Sequence, residues 1–101
     1  MMANALNRDI QPGEVLVLRK GVVLDAYHKL EDRLFIAQSG FGMSASTSGG
    51  KIIGENARFE NGKLVREGRA SYLGHHFSVR DTKAWQKEHG RFAPADVAGQ
   101  S

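Results

Sequence analysis

Alternating apolar and polar positions predict a series of short β-strands along this chain of 101 residues. The segment EVLVLR at residues 14–19 is rich in β-branched and apolar side chains, and it predicts the first strand. A Pro12-Gly13 pair directly before it is typical of a tight turn, because proline fixes φ and glycine accepts a positive φ. Residues 33–38 predict a second strand, which follows a turn or a single helical turn in the segment DAYHKLED.

The pair Asn61-Gly62 predicts a β-hairpin over residues 55–70, because both residues tolerate the positive φ that a two-residue type I′ turn requires. The predicted register pairs Glu60 with Lys63, Phe59 with Leu64 and Arg58 with Val65. Alternation along the strands then gives the hairpin two different faces. One face carries Phe59 and Leu64, and the other carries Arg58, Glu60, Lys63 and Arg69.

A third strand is predicted directly after the hairpin, over residues 73–80. Its apolar positions recur at every second residue, which is typical of a strand with one buried face. The alternation places Leu73, His75 and Phe77 on the apolar face and His76 on the face of Arg80.

A short helix is predicted over residues 82–89, near the end of the chain. Ser78 or Asp81 can cap its first turn, and Gly90 can end it by leaving the helical conformation. The helix has little apolar content, so Trp85 has to anchor it against the sheet.

These elements define the expected fold class, which is mainly β (α+β): a small, partly open antiparallel β-barrel or curved sheet with a short C-terminal helix. At this length, with 41% hydrophobic and 25% charged residues, the chain has material for one hydrophobic core. We expect a single β-rich domain over residues 1–91 and a flexible C-terminal tail over residues 92–101, which offers little to bury.

The glycine- and serine-rich stretch SGFGMSASTSGGKIIG, residues 39–54, raises the question of a phosphate-binding loop. A Walker A sequence needs glycine at position 45 and a hydroxyl at position 52, where this chain has alanine and isoleucine. Residues 40–45 fit the G-x-G-x-x-A pattern of dinucleotide-binding folds, but Ser-Gly-Gly at 48–50 blocks the helix that must follow. We interpret the stretch as a long inter-strand loop, and its predicted partner-binding residues are Phe41, Met43, Ser46 and Lys51.

No metal site, catalytic site or cofactor is predicted. The chain has no cysteine, which excludes disulfides, thiolate ligands and cysteine nucleophiles. Neighbours on a strand point to opposite faces, so His75 and His76 are not expected to chelate one ion. The serines lack a G-x-S-x-G elbow and Glu31-Asp32 falls in a turn, so we expect a protein that is not an enzyme.

The positive charge is unevenly distributed along the chain. The net charge is +3, and residues 51–91 carry nine basic against five acidic side chains, whereas residues 1–50 carry five of each. Such asymmetry favours a polyanionic partner, although an ordinary solvated surface accounts for it equally well. Nucleic-acid binding uses several cations on one surface, with aromatic rings such as Phe41 or Tyr72 stacking on bases. The predicted phosphate contacts are Arg58, Lys63, Arg69, Arg80, Lys83 and Lys87.

The segments RDIQPGEVLVLRKG, YHKLEDRLFIAQSGFG and GKIIG place a strand, a GFG sequence, a Ser/Thr-Gly loop and a charged hairpin in order. Over residues 8–70 this order resembles small uncharacterised accessory proteins of bacterial plasmids and integrative elements. The resemblance carries over neither an activity nor catalytic residues. It implies an accessory protein of a mobile element.

Two functions stay open from the sequence. The first is a nucleic-acid-binding module that uses the basic face within residues 51–91. The second is a protein-interaction module that modulates host defence or conjugative transfer through an exposed sheet edge or the loop at 39–50. The N-terminus lacks the features of a signal peptide and no apolar run reaches the ~20 residues of a membrane span, so we expect a cytoplasmic protein.

Overall fold

A computed structural model describes residues 10–22, 29–39, 51–94 and 98–99. Its sheet has five strands in the order β1–β2–β3–β4–β5, and one helix, α1, covers Val79–His89. The first four strands pair antiparallel with their neighbours in the chain, and β5 adds a short parallel pairing to β4. Because the described strands form an open sheet with one helix, the predicted mainly β (α+β) class is confirmed. The strands are β1 Val15–Val17, β2 Leu34–Ser39, β3 Lys51–Glu60, β4 Lys63–Leu73 and β5 Ala98–Gly99.

The predictions for the first turn, the first two strands and the short helical segment are confirmed. Gly13 has a φ of 90°, and the amide of Glu14 donates to the carbonyl of Gln11 at 3.1 Å, which closes the turn before β1. A single 3₁₀ turn at Leu30–Asp32 precedes β2. These elements were predictable because each is determined by neighbouring residues: proline and glycine at the turn, and runs of apolar side chains in the strands.

The β3–β4 hairpin has the predicted turn and the predicted register at its tip. Asn61 and Gly62 have φ values of 54° and 79°, and the pairs Glu60–Lys63, Phe59–Leu64 and Arg58–Val65 all form. The predicted hairpin at Asn61-Gly62 is therefore confirmed.

A β-bulge further along β4 changes which side chains share a face. Ala57 pairs with Arg66, whereas Asn56 pairs with Gly68, so Glu67 is one extra residue on β4. One extra residue reverses the alternation beyond it, which places Arg69 opposite Glu55 on the face of Ala57. The prediction that Arg69 lies on the same face as Arg58 and Lys63 is therefore wrong.

Both faces of the sheet carry a buried apolar cluster. Trp85 of α1 is 4% exposed and packs on one face, so the prediction that it anchors the helix is confirmed. Phe77, just before the helix, is fully buried on the other face. The cluster on the helix side contains Val15, Val17, Leu34, Ile36, Ala57, Leu64 and Trp85, and the opposite cluster contains Ile10, Leu16, Leu18, Phe35, Ala37, Ile52 and Phe77.

The two ends of α1 are fixed to the outer edge of β1. The amide of Ser78 donates to the carbonyl of Val17 at 2.7 Å, and the amide of Val17 donates to the buried hydroxyl of Thr82 at 2.9 Å. Beyond the helix, the amide of Val15 donates to the carbonyl of Arg91 at 3.0 Å. These bonds pair backbone groups that a sheet edge leaves unsatisfied, and they fix which side of the helix faces solvent.

The helix begins three residues earlier than predicted. Ser78 is its N-cap, and the Ser78 hydroxyl accepts a hydrogen bond from the amide of Asp81 at 3.1 Å, as one of the two predicted caps requires. Gly90, with a φ of 98°, ends the helix as predicted.

The predicted third strand over residues 73–80 is wrong. β4 continues to Leu73, a 3₁₀ turn covers Gly74–His76, and Phe77 forms an isolated bridge with Leu18. The chain leaves the sheet here because Phe77 has to cross to β1, where its ring is buried. A turn that buries Phe77 satisfies the same alternating pattern as a strand does, so the pattern alone did not separate the two.

Residues 92–94 and 98–99 belong to the segment predicted as a tail. Phe92 bridges Glu14, and the amide of Ala93 donates to the carbonyl of Gly13 at 2.8 Å. Ala98 and Gly99 form β5 beside Val65 and Arg66.

Candidate nucleic-acid interface

The exposed face of α1 carries three cations in one row: Arg80, Lys83 and Lys87, here called the helix stripe. At 3.6 residues per turn their side chains fall within an arc of about 60°. This arc lies opposite the buried side chains of the helix, Thr82 and Trp85, and all three cations are exposed. The sequence produces this arrangement because the core-facing positions leave 80, 83 and 87 on the outer side.

Most carboxylates in the same half of the chain are already used for internal ion pairs. Glu55 lies 3.2 Å from the Nε of Arg66, and Glu88 lies 3.9 Å from the Nε2 of His89. Asp81 lies 3.4 Å from the guanidinium of Arg33, whose side chain is 4% exposed. Glu60 and Glu67 both pair with Arg58. Four of the five acidic side chains of residues 51–91 therefore pair with an arginine, and the fifth, Glu88, is largely exposed beside His89. No described carboxylate pairs with the helix stripe.

Arg58 is a predicted phosphate contact whose charge the hairpin compensates. Its guanidinium donates to the carboxylate of Glu60 at 2.9 and 3.1 Å and also to the carboxylate of Glu67. These hydrogen bonds, first that to Glu60 and then that to Glu67, raise the pKa of Arg58 above its ordinary value. The register also places Arg58 on the sheet face away from α1, so the structure separates it from the helix stripe.

Lys63 and Arg69, the two other predicted contacts on the hairpin, are both exposed and form no ion pair with a described carboxylate. Lys63 follows the turn at the hairpin tip. Arg69 lies on the face of the sheet that α1 packs against, as a result of the bulge at Glu67. The helix side and the hairpin tip together carry five of the six predicted phosphate contacts without a described partner.

Tyr72, one of the two aromatic residues that the sequence singled out for stacking, packs against the core. The hydroxyl of Tyr72 donates to Asn56 Oδ1 at 3.0 Å, and its ring meets those of Phe35 and Phe77 edge-on, with centroids 5.5 and 5.9 Å away. Tyr72 is therefore half-buried against the core, and its role in base stacking stays a prediction. Phe41, Met43 and Ser46 lie outside the described residues, as does the side chain of Lys51 in β3.

A cluster of three rings joins the hairpin tip to the end of the helix; we call it the aromatic trio, Phe59, Trp85 and His89. The ring of His89 stacks on Trp85 with centroids 3.8 Å apart and planes 26° apart. Phe59 meets both rings with centroids 5.1 Å away. The i, i+4 spacing of Trp85 and His89 on a helix is the sequence signal that indicates this contact.

Two clefts flank the aromatic trio, and both use its rings as walls. The first, of about 350 Å³, is also lined by Lys63, Phe92 and Pro94, and we call it the lysine cleft. The second, of about 310 Å³, has Glu31 and Glu88 in its wall. The clefts thus share their aromatic wall and differ in charge.

The adjacent histidines come close together, contrary to the prediction. Because Gly74–His76 is a 3₁₀ turn, the rings of His75 and His76 lie with centroids 4.2 Å apart. His75 is exposed and His76 is half-buried, so the predicted placement of His75 on an apolar face is wrong. Burial, and then the nearby His75 and Arg19, lower the pKa of His76. No three metal-ligating side chains come together within the described part of the chain, and the absence of a bound metal stays a prediction.

These features define a small α+β domain with an open antiparallel sheet and one basic helix. Comparison with protein-family models, curated proteins and solved structures found no match for this chain. Among the residues described, no helix has the length and apolarity needed to cross a membrane. The function is therefore inferred from the side chains of this protein alone.

Proposed function

We propose that this protein binds nucleic acid through its helix side, with phosphate contacts and little preference for base sequence. The observation that carries the proposal is the helix stripe. Arg80, Lys83 and Lys87 lie in one row on the outer face of α1, and no described carboxylate pairs with them. Cations that contact phosphates release condensed counterions, and this release supplies essentially all of the affinity of non-specific binding.

Lys63 and Arg69 are the two other cations that the proposal includes. Both are exposed without a described ion-pair partner, one at the hairpin tip and one on the sheet face that α1 covers. Arg58 is not included, because Glu60 and Glu67 compensate its charge. In this proposal the protein is a non-catalytic accessory protein of a bacterial mobile element that acts in the cytoplasm, which the sequence alone supports.

The experiment is a salt titration of binding to random-sequence oligonucleotides, as duplex and as single strand. We expect the logarithm of the association constant for duplex DNA to fall by about 0.9 per log unit of salt for each phosphate contact. The triple variant Arg80→Gln/Lys83→Gln/Lys87→Gln should flatten this slope by about 2.7 if all three cations meet phosphates. Arg58→Gln is the matched control, and it should leave the slope close to that of the natural protein.

Two results contradict the proposal. One is no binding of the natural protein at ~50 mM salt, where non-specific basic proteins associate with DNA. The other is a triple variant with an unchanged slope and an intact thermal unfolding transition. Recovery of a specific protein from host lysate after nuclease treatment, together with either result, supports the alternative of a protein-interaction module.

A further inference from the structure

We infer that the lysine cleft takes one unpaired base of a single strand, and that Lys63 at its rim contacts an adjoining phosphate. The inference rests on the proposed function and names the form of nucleic acid that the site selects. It starts from the cleft of about 350 Å³ between the hairpin tip and the end of α1.

Shape and wall composition match a flat heterocycle. A volume near 350 Å³ is at the small end of ligand pockets, where a single base-sized group fits. The walls include the rings of Phe59, His89 and Phe92. Every base has a π face that stacks on such rings whatever its identity, which agrees with binding that ignores sequence. A paired base in a duplex already stacks on its neighbours, so it does not enter the cleft.

Phe92 is the ring most available for stacking. It is 49% exposed, whereas Phe59 is half-buried and Trp85 is buried. Its backbone bridges Glu14, and the guanidinium of Arg91 lies 5.1 Å from its ring centroid. Arg91 is itself held by the fully buried carboxylate of Glu14 at 3.2 Å. The protein thus presents a ring on a fixed backbone, which costs little entropy to order on binding.

Charge complementarity distinguishes this cleft from the one on the other side of the aromatic trio. Lys63 lines the lysine cleft, and its cross-strand partner Glu60 is already bonded to Arg58. The second cleft has the same three rings but is lined by Glu31 and Glu88. A base that carries a phosphodiester is therefore attracted to the lysine cleft and repelled from the other one.

Trp85 allows a direct test, because it is the single tryptophan of the chain and lines the lysine cleft. The natural protein is titrated at fixed salt with an oligothymidylate of ~12 nucleotides and with a random duplex of equal length. We expect the single strand to change the fluorescence of Trp85 and the duplex to leave it nearly unchanged.

Three variants then locate the effect. Phe92→Ala removes an exposed ring, and it should weaken single-strand binding roughly tenfold with little change in duplex binding. Phe92→Tyr keeps the ring and should keep the affinity. Lys63→Gln should weaken single-strand binding and flatten its salt slope by about 0.7.

Failure of this inference can be told apart from failure of the proposed function. If nucleic acid binds but Phe92→Ala leaves the affinity for the single strand unchanged, or weakens both forms equally, the inference is wrong and the proposed function stands. If neither form binds at ~50 mM salt, both are wrong. A helix-stripe variant that weakens both forms while Phe92→Ala weakens the single strand alone supports both.

Discussion

The β3–β4 hairpin and the helix α1 are both rich in basic side chains, and they differ in whether those side chains pair with carboxylates of the protein. On the hairpin, Arg58 bonds to Glu60 and Glu67, and Arg66 lies 3.2 Å from Glu55. On the helix, the three cations of the stripe point to solvent and have no described carboxylate partner. The comparison teaches that a count of basic residues does not locate a binding surface, because pairing within the fold decides which charges are available to a partner.

This difference separates the effects of mutations in the two regions. Changes within the paired part of the hairpin should lower the free energy of unfolding and leave nucleic-acid binding intact. Changes in the helix stripe should weaken nucleic-acid binding and leave the free energy of unfolding nearly unchanged, because an exposed cation without a partner contributes little to stability.

The largest effect is expected at Gly54 in β3, where an added Cβ would meet the backbone of β2. A Cβ at this position would collide with the carbonyl oxygen of Ile36 and would lie 2.9 Å from both the Cα of Ala37 and the ring of Phe35. We expect Gly54→Ala to lower the free energy of unfolding by about 3 kcal/mol, because backbone atoms have to move apart. Chemical denaturation measures the change.

Gly68→Ala is the matched control for that variant. Gly68 lies in the neighbouring strand of the same hairpin, and nothing lies within 4 Å of an added Cβ. Its substitution should change stability far less than Gly54→Ala does. Equal losses in the two variants would show that the close approach at Gly54 is not what excludes a side chain there.

A smaller loss of stability is expected when the buried ion pair of the hairpin is broken. The side chain of Glu55 is 9% exposed, and that of Arg66 is 31% exposed. Arg66→Gln leaves the carboxylate of Glu55 buried without its cation, which should cost about 1–2 kcal/mol. The double variant Glu55→Gln/Arg66→Gln removes both charges and should recover part of the loss. A double variant less stable than Arg66→Gln would contradict this account of the pair.

Single substitutions in the helix stripe and in the hairpin should differ in their effect on the affinity for duplex nucleic acid. We expect Lys83→Gln to weaken duplex binding roughly fivefold at ~0.1 M salt, as the loss of one phosphate contact predicts. Arg58→Gln removes the same charge from the hairpin, and it should change the affinity much less. If Arg58→Gln weakens binding as much as Lys83→Gln does, internal pairing does not determine which cations bind.

The smallest effect is a pH dependence in the turn that joins the hairpin to the helix. The Nδ1 of His76 accepts a hydrogen bond from the amide of Leu73 at 3.3 Å, and burial lowers the pKa of His76 below its ordinary value of 6.5. As pH falls through 6.5, the unfolded chain takes up this proton before the folded protein does, so the stability from the neutral imidazole is lost.

His76→Asn keeps an acceptor in the turn and removes the titrating group. The loss in free energy of unfolding between about pH 7.5 and pH 5.5 should therefore be smaller in this variant than in the natural protein. Titrating groups that do not interact with His76 contribute equally to both proteins. An identical loss in the two would contradict the assignment to His76.

Sequence reasoning succeeded where structure depends on neighbouring residues. Asn61-Gly62 set the hairpin turn and its register through backbone conformation alone. Ser78 and Gly90 marked the two ends of the helix. Trp85 was identified as the anchor because the helix offers little else to bury.

The errors arose where distant parts of the chain meet. The bulge at Glu67 depends on how two long strands match along their length, and it reversed the face of Arg69. The 3₁₀ turn at Gly74–His76 depends on the docking of Phe77 against β1. The alternation of apolar and polar residues predicted regular strands in both places, because it contains no signal for a β-bulge or for a turn that leads the chain to another strand.

The candidate site was only partly predictable for the same reason. The cations of the helix stripe were identified from charge asymmetry, but the compensation of Arg58 requires knowledge of the folded hairpin. The lysine cleft joins the tip of the hairpin at Gly62 to the end of the helix at His89, and the exposure of Phe92 has no local signal.

The most direct test of the central claim maps the bound surface on the natural protein. Amide chemical shifts of ¹⁵N-labelled protein are followed during titration with a short single-stranded oligonucleotide at low salt. We expect the shifts to concentrate on residues 80–87, on Lys63 and on the indole of Trp85, while the amides of Arg58 and Val65 stay in place. Shifts confined to the sheet face of Arg58, with the helix unaffected, would contradict the claim that the helix stripe binds nucleic acid.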